Sequence, residues 1–225
     1  MQPALFDTWT DRYDSWFATP VGRMVKRYET DLLLAFLDPR PGEHLLDAGC
    51  GTGIFTADVL AKGALVAGID LSVPMLAGAV GRLGDGGFVA LGADVCALPF
   101  ADGSFDKVFS MTAIDFVADG RKAMAELDRV VRPGGRVVVT TLNSLGPWAE
   151  QRRRKGAAGH DLFAQIHFRS PAAMRAIAPA VRIETATAIH FGKDDPPEAI
   201  PAIERRGRDQ GLDTGALVAV RWDKE

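Results

Sequence analysis

Between residues 44 and 141, short uninterrupted apolar runs alternate with stretches of helical character. No other feature constrains the fold as much. The strand candidates are His44–Ala48, Ala64–Ile69, Gly87–Leu91, Lys107–Met111 and Gly135–Thr141. Between them lie helix candidates at Gly53–Ala61 and Val73–Arg82, a short or irregular piece near Cys96–Leu98, and a helix at Arg121–Val131. A strand that is apolar at consecutive positions is buried on both faces, which calls for a parallel sheet with helices on either side. Right-handed crossovers then make the sheet doubly wound.

The flanks read differently. Leu5, Trp9, Tyr13, Trp16 and Phe17 recur at helical spacing until Thr19-Pro20 breaks the run. Met24, Val25, Tyr28, Leu32, Leu33, Phe36 and Leu37 form a second stripe, ended by Asp38-Pro39. After Thr141, residues 143–169 hold no clear strand. Ser170-Pro171 is a cap followed by proline at the first helical position, and predicts a helix to about Ala178. Val181–Phe191 and Gly215–Trp222 are further strand candidates, joined by a Pro- and charge-rich stretch of partly helical character over Asp194–Gln210.

A chain of 225 residues, 47% hydrophobic and 24% charged, suits one globular domain. Its net charge of -3 argues against a dedicated nucleic-acid binder. The start, MQPALFDTWTDRYD, has no basic segment leading into an apolar core, so no signal peptide is expected. No apolar run reaches the roughly 18 residues that span a bilayer. The two cysteines, Cys50 and Cys96, have no metal-ligand spacing and fit a reducing cytosol, so a cytoplasmic location is expected.

The chemistry concentrates in LLDAGCGTGIF, residues 45–55. Gly49, Gly51 and Gly53 follow the first strand as G-x-G-x-G, not the G-x-G-x-x-G of dinucleotide binders. Asp47 lies two residues before the first glycine, at the strand's carboxyl end, where open α/β sheets bind ligands. A carboxylate there repels a pyrophosphate and attracts an ammonium or sulfonium group. The alternative is that Asp47 only hydrogen-bonds loop amides. Asp70 ends the second strand, about 20 residues past the loop, and can accept from both ribose hydroxyls. Ser72 can cap the next helix. Leu71 and Met75 are placed to flank an adenine, with core packing the competing role for Met75. Asp94 follows the third strand and suits an exocyclic amine, with Val95 against the ring; an Asx-turn is the competing role for Asp94.

Three acids after three successive strands, beside one glycine loop, resemble the class I S-adenosylmethionine-dependent methyltransferases. The resemblance covers about Leu45–Leu142. LLDAGCGTG is similar to that family's glycine motif, GIDLS to its ribose motif, GADVCALPFADGSFDKVFS to its adenine motif, and LDRVVRPGGRVVVTT to its fifth-strand motif. It looks most like the subgroup that includes quinone-biosynthesis enzymes. The resemblance implies a Rossmann-like, doubly wound α/β fold: a mainly parallel seven-stranded sheet, helices on both faces, the last strand antiparallel. It implies S-adenosylmethionine as cofactor. The Gly49 carbonyl and Asp47 would hold the methionine ammonium, Gly51 and Gly53 would allow close approach, and Asp70 would hold the ribose. Asp94 and Val95 would contact adenine, and Met111 would line the switch point. Tyr13, in YDSWF, would sit over the methionine end, with lid packing the competing role. The expected organisation is one domain over 1–225: an N-terminal helical lid (1–40), a cofactor-binding core (41–142), an acceptor-covering insertion (143–170) and the rest of the sheet (171–225).

The acceptor half is less legible. Methyl transfer from a sulfonium runs largely on positioning and desolvation, so the lack of an obvious base does not argue against an enzyme. Asp115, in SMTAIDFVAD, and His167, in QIHFRS, are the candidate bases, and Phe116 a candidate wall. Similar proteins often carry histidine near position 115, and this chain does not. Arg152-Arg153-Arg154-Lys155 reads as a solvated helix end, or as a contact for an anionic acceptor, an acidic lipid or RNA, the last two weakened by the overall charge. Trp148 reads as an apolar wall. No Asn-Pro-Pro-aromatic motif follows the fourth strand and no Pro-Cys pair occurs, which weighs against nucleic-acid substrates. The expectation is a methyltransferase acting on a small-molecule acceptor, with no metal. The alternatives are a non-catalytic S-adenosylmethionine-binding regulatory or scaffold protein, and a nicotinamide oxidoreductase, which the loop spacing, Asp47 and Asp94 oppose.

Overall fold

Adjacent residues within each central strand point to opposite sides of one sheet, and both sides are buried. Leu45 packs on one face with Val66, Phe109 and Val138; Leu46 packs on the other with Ile69, Val108 and Val139. That two-sided burial is why the strands read as continuous apolar runs. The computed structural model describes residues 4–225. Residues 1–3, the start of the expected N-terminal lid, lie outside the described residues.

Among the described residues, the strands are β1 (His44–Ala48), β2 (Leu65–Asp70), β3 (Phe88–Gly92), β4 (Phe105–Ser110), β5 (Val131–Leu142), β6 (Glu184–Ala188) and β7 (Leu217–Asp223). They pair in the order β3-β2-β1-β4-β5-β7-β6. β1 to β5 pair in parallel, and β7 runs antiparallel to both β5 and β6. The sheet is therefore seven-stranded and mainly parallel, with the last strand antiparallel. β1 has β2 on one side and β4 on the other, so the winding reverses between β1 and β4. A crevice opens beyond the strand ends at such a reversal.

The helices are α1 (Thr10–Ala18), α2 (Pro20–Leu37), α3 (Thr56–Leu60), α4 (Val73–Leu83), α5 (Gly120–Val130), α6 (Ala149–Ala157), α7 (Asp161–Ala164), α8 (Pro171–Ile177) and α9 (Ile200–Asp209). Capping sets several boundaries. Thr19 accepts from Gly22 N at 3.0 Å with Pro20 in the first turn, and separates α1 from α2. Ser72 accepts from Met75 N at 3.3 Å and opens α4. Ser170 accepts from Ala173 N at 3.2 Å and opens α8.

The stretch near Cys96–Leu98 is the irregular piece expected; Asp94 Oδ1 accepts from Cys96 N at 2.8 Å and holds it as a turn. Residues 143–169 hold no strand, as expected, and contain α6 and α7. α6, AEQRRRKGA, has almost no apolar residue, so it offers no periodicity to read. One sequence expectation changes. The long strand expected over Val181–Phe191 is only five residues, and it ends at Ala188 because Ile189 adopts φ 66°. A β-branched residue in the left-handed region is strained.

Glu204, fully buried on α9, holds that bend. Its carboxylate accepts from Ile189 N at 3.1 Å and His190 N at 2.8 Å. Glu204→Ala leaves two buried amides unsatisfied and is expected to lower stability by about 2–4 kcal/mol. Glu204→Gln, which keeps one acceptor oxygen, should cost less. Urea unfolding of the three proteins checks the order.

Candidate functional site

One cavity of about 690 Å³ lies over the carboxyl ends of the strands at the reversal. Its floor comes from the loops after β1, β2, β3 and β4, and its cover from residues 4–17 and from Arg152 to Ile166. The floor begins with the glycine loop. Gly49 N and Cys50 N both donate to Ile69 O at 2.8 Å, which bends the chain sharply off β1. Gly49 has φ 82°, and a Cβ on it would stand 2.2 Å from Ala113 Cβ, so the loop after β4 packs against bare backbone. Gly51 N donates to Asp70 Oδ2 at 3.0 Å. Asp70 Oδ1 accepts from Ser72 N at 2.9 Å. Each oxygen keeps acceptor capacity beyond its backbone bond.

Of the sequence-derived binding candidates, Tyr13, Gly49, Gly51, Asp70, Leu71, Met75, Asp94, Val95 and Met111 line this cavity together. Asp47 and Gly53 do not. Asp47 is 2% exposed beneath the loop. Its Oδ2 accepts from Thr56 Oγ1 at 2.6 Å, and its Oδ1 is buried with no partner among the described residues. Burial pushes its carboxyl up to about 7 against the opposing Thr56 hydrogen bond, with Asp70 adding to the rise. A half-satisfied buried carboxyl suits a cationic neighbour, so the residues present fit a ligand with an ammonium or sulfonium tail. Gly53, with φ 73°, faces Leu83 of α4 instead. Met75 is 2% exposed, so it packs in the core while touching the cavity. Burial also raises the Asp70 carboxyl. Burial, then Glu29, Asp47, Asp14 and Asp70, push the Tyr13 phenol far above its ordinary range and keep it neutral.

Of the two candidate bases, Asp115 lines the cavity but is fully buried and committed. It accepts from the Thr141 hydroxyl, and from Leu142 N at 3.1 Å to each oxygen. Burial still pushes it up to about 7. His167 is exposed and outside the cavity lining; its backbone N donates to Asp115 O at 2.7 Å. Phe116 lines the cavity and meets Phe6 edge-on at a centroid distance of 4.8 Å.

Three groups were not singled out from the sequence. Glu29 of α2 is 6% exposed, lines the cavity, and is pushed up to about 8, chiefly by burial. Its signal was positional: it sits four residues from both Val25 and Leu33, on the apolar stripe of α2. Asp14 ties the cover to the floor, since its Oδ1 accepts from Thr52 Oγ1 at 2.6 Å and its Oδ2 pairs with Arg82. Lys193 reaches the cavity from the loop after β6. Spacing carries no signal for the last two, because their partners lie far away in the chain.

Comparison with known proteins agrees with this architecture. Residues 46–139 match a family described as a methyltransferase domain. A malonyl-[acyl-carrier protein] O-methyltransferase of Pseudescherichia vulneris is 44% identical over 120 residues, 53% of this chain and 47% of that protein. A demethylmenaquinone methyltransferase of Beutenbergia cavernae is 39% identical over 148 residues, 64% of this chain and 59% of that protein. The chain thus spans about half the length of the curated relatives it matches. Among solved structures, a possible histamine N-methyltransferase of Thermotoga maritima superposes with a TM-score of 0.76 at 20% identity, covering 98% of each chain. At that identity the likeness establishes the fold.

The Asp47 environment yields a pH prediction. Its folded-state pKa lies above the unfolded value of about 3.9, so the fold favours the protonated form. The cost of ionising it is absent below about pH 4, grows as pH rises, and is complete above about 7. Asp47→Asn removes that cost. Its stability relative to the parent chain is expected to improve steadily between about pH 4 and 7, as read by urea midpoints at several pH values.

Proposed function

We propose that this chain, whose residues 46–139 match a methyltransferase domain, is a class I S-adenosylmethionine-dependent methyltransferase, and that it methylates a small molecule held beside S-adenosylmethionine in the cavity over the strand ends. The observation that carries this is continuity: the acid- and glycine-lined floor opens into the aromatic chamber under residues 4–17 without a wall between them. In this reading cofactor and acceptor meet in one space with a largely apolar lining.

Bound there, S-adenosylmethionine supplies a methyl group already activated by its sulfonium. The chain's own task is to orient two ligands and exclude water. In this reading the Asp70 oxygens take the ribose hydroxyls, Asp94 and Val95 the adenine edge and face, and Leu71 and Met75 its flanks. The Gly49 carbonyl takes the ammonium end, with the carboxyl of Asp47 acting on it from beneath the loop. Gly51 and Gly53 shape the loop, Met111 lines the reversal, and the neutral Tyr13 covers the methionine end. A base is needed only for a protonated acceptor. We assign that task to the cavity carboxyl of Glu29, which can perform it only in the ionised form favoured above about pH 8, since Asp115 is already engaged by Thr141 and Leu142.

Residues 1–40 act in this reading as a lid, clamped through Asp14 to Thr52 and Arg82. Residues 41–142 carry the cofactor, 143–170 cover the acceptor, and 171–225 complete the sheet. No helix among the described residues is long and apolar enough to cross a membrane. The two free cysteines, Cys50 and Cys96, support a cytoplasmic location.

Calorimetric titration with S-adenosylmethionine and S-adenosylhomocysteine tests the cofactor half, and a labelled-methyl screen of small-molecule acceptors tests turnover. Binding of both is expected, and Asp70→Ala should weaken it about 10- to 100-fold. Well-folded protein that binds neither would refute the reading.

A further inference from the structure

The basic run Arg152–Lys155 separates into distinct environments. Arg154 pairs with Glu150 at 2.8 Å on the outside of α6. Arg153 reaches Ser144 O at 3.2 Å and lies over the Phe168 ring. Lys155 is exposed. Arg152 alone of the four lines the cavity.

Lys193 reaches the same cavity from the loop after β6. The Arg152 guanidinium carbon and Lys193 Nζ each lie 5.1 Å from the ring centroid of Trp148. Trp148 is 2% exposed, and its Nε1 donates to Phe191 O at 2.8 Å, two residues before Lys193. The bend at Ile189, held by Glu204, sets where Phe191 and hence Lys193 fall. The indole is thus a fixed platform carrying two cations.

Neither cation has a carboxylate within 4.0 Å among the described residues. Glu29 and Asp115 on the cavity wall act on Arg152 only from a distance: Asp115 is held by Thr141 and Leu142, and Glu29 makes no ion pair among the described residues. Burial raises both carboxyls, so near neutral pH they hold protons much of the time. Burial lowers Arg152 despite the opposing pull of Glu29 and Asp115, and burial with Arg152 and Lys155 lowers Lys193 to about 8 despite Asp194, as expected of two cations with no close ion-pair partner. Cation–π contact offsets only part of that cost. An anion between them would remove the desolvation penalty and their mutual repulsion together.

We propose that Arg152 and Lys193 form an anion site in the acceptor half of the cavity, and that the acceptor is an amphipathic organic anion. Its carboxylate or phosphate sits between the two cations, and its apolar body packs against Trp9, Trp16 and Phe116. The substrate class rests on the methyltransferase reading, while anion binding itself does not.

The test is calorimetric titration of the full chain, with and without saturating S-adenosylhomocysteine. The probes are 3-phenylpropanoate, 3-phenylpropyl phosphate and the neutral 3-phenylpropanamide. At least one anion is expected to bind about tenfold or more tightly than the amide, and the stronger anion identifies the headgroup. Arg152→Gln and Lys193→Gln should each remove most of that preference while leaving S-adenosylhomocysteine affinity within about twofold. Arg154→Gln should keep it. The proposal is overturned if the amide binds as well as both anions, or if Arg152→Gln and Lys193→Gln retain the preference. It is equally overturned if no probe binds up to about 10 mM. Anion preference without S-adenosylhomocysteine binding would leave the anion site standing and refute the cofactor reading.

Discussion

The hydrogen bond from Gly51 N to Asp70 Oδ2 joins the loop after β1 to the end of β2, and much of the site depends on it. With the two amides of Gly49 and Cys50 on Ile69 O, it fixes a turn that a side chain at Gly49 would push off Ala113. The turn buries Asp47 beneath it and presents Thr52 above it. Thr52 then receives Asp14 and Arg82, so the cover over the cavity is anchored to the same loop that forms its floor. A single local bend thereby sets the position of α1 against the sheet.

Desolvation dominates the electrostatics of this region. Asp115 accepts from Thr141 and Leu142 and feels Arg169, yet burial still raises its carboxyl. The Thr56 hydrogen bond does not offset burial at Asp47 either. Glu29, Asp47 and Asp115 are therefore easily protonated near neutral pH, and Lys193 is more easily discharged than an ordinary lysine, whereas the Arg152 guanidinium keeps its charge. A cationic tail near Asp47 and an anionic group near Arg152 and Lys193 would each draw out the charged form of their neighbour. The two demands are opposite in sign.

The central strands were legible because burial on both faces leaves an uninterrupted apolar run, and β1 has the expected bounds His44–Ala48. α6 was not, because its nine residues include three arginines, a lysine and a glutamate, and its packing depends on Trp148 rather than on a stripe. β6 was overextended because alternation continues past Ala188 while Glu204, sixteen residues on, turns the backbone. Glu29 was passed over because a carboxylate on an apolar stripe reads as a gap in the pattern. Its meaning came from what faces it.

The sequence by itself determined the alternation that makes a doubly wound sheet, and the three acids and three glycines that follow its strands. Those are local properties: period, turn chemistry, and a carboxylate at a strand's end. Only the tertiary structure decided which of four basic residues enters the cavity, that Lys193 joins it there, and that Asp14 clamps the cover to the floor. Each of these couples residues far apart in the chain, and sequence spacing carries no information about a contact made through the fold.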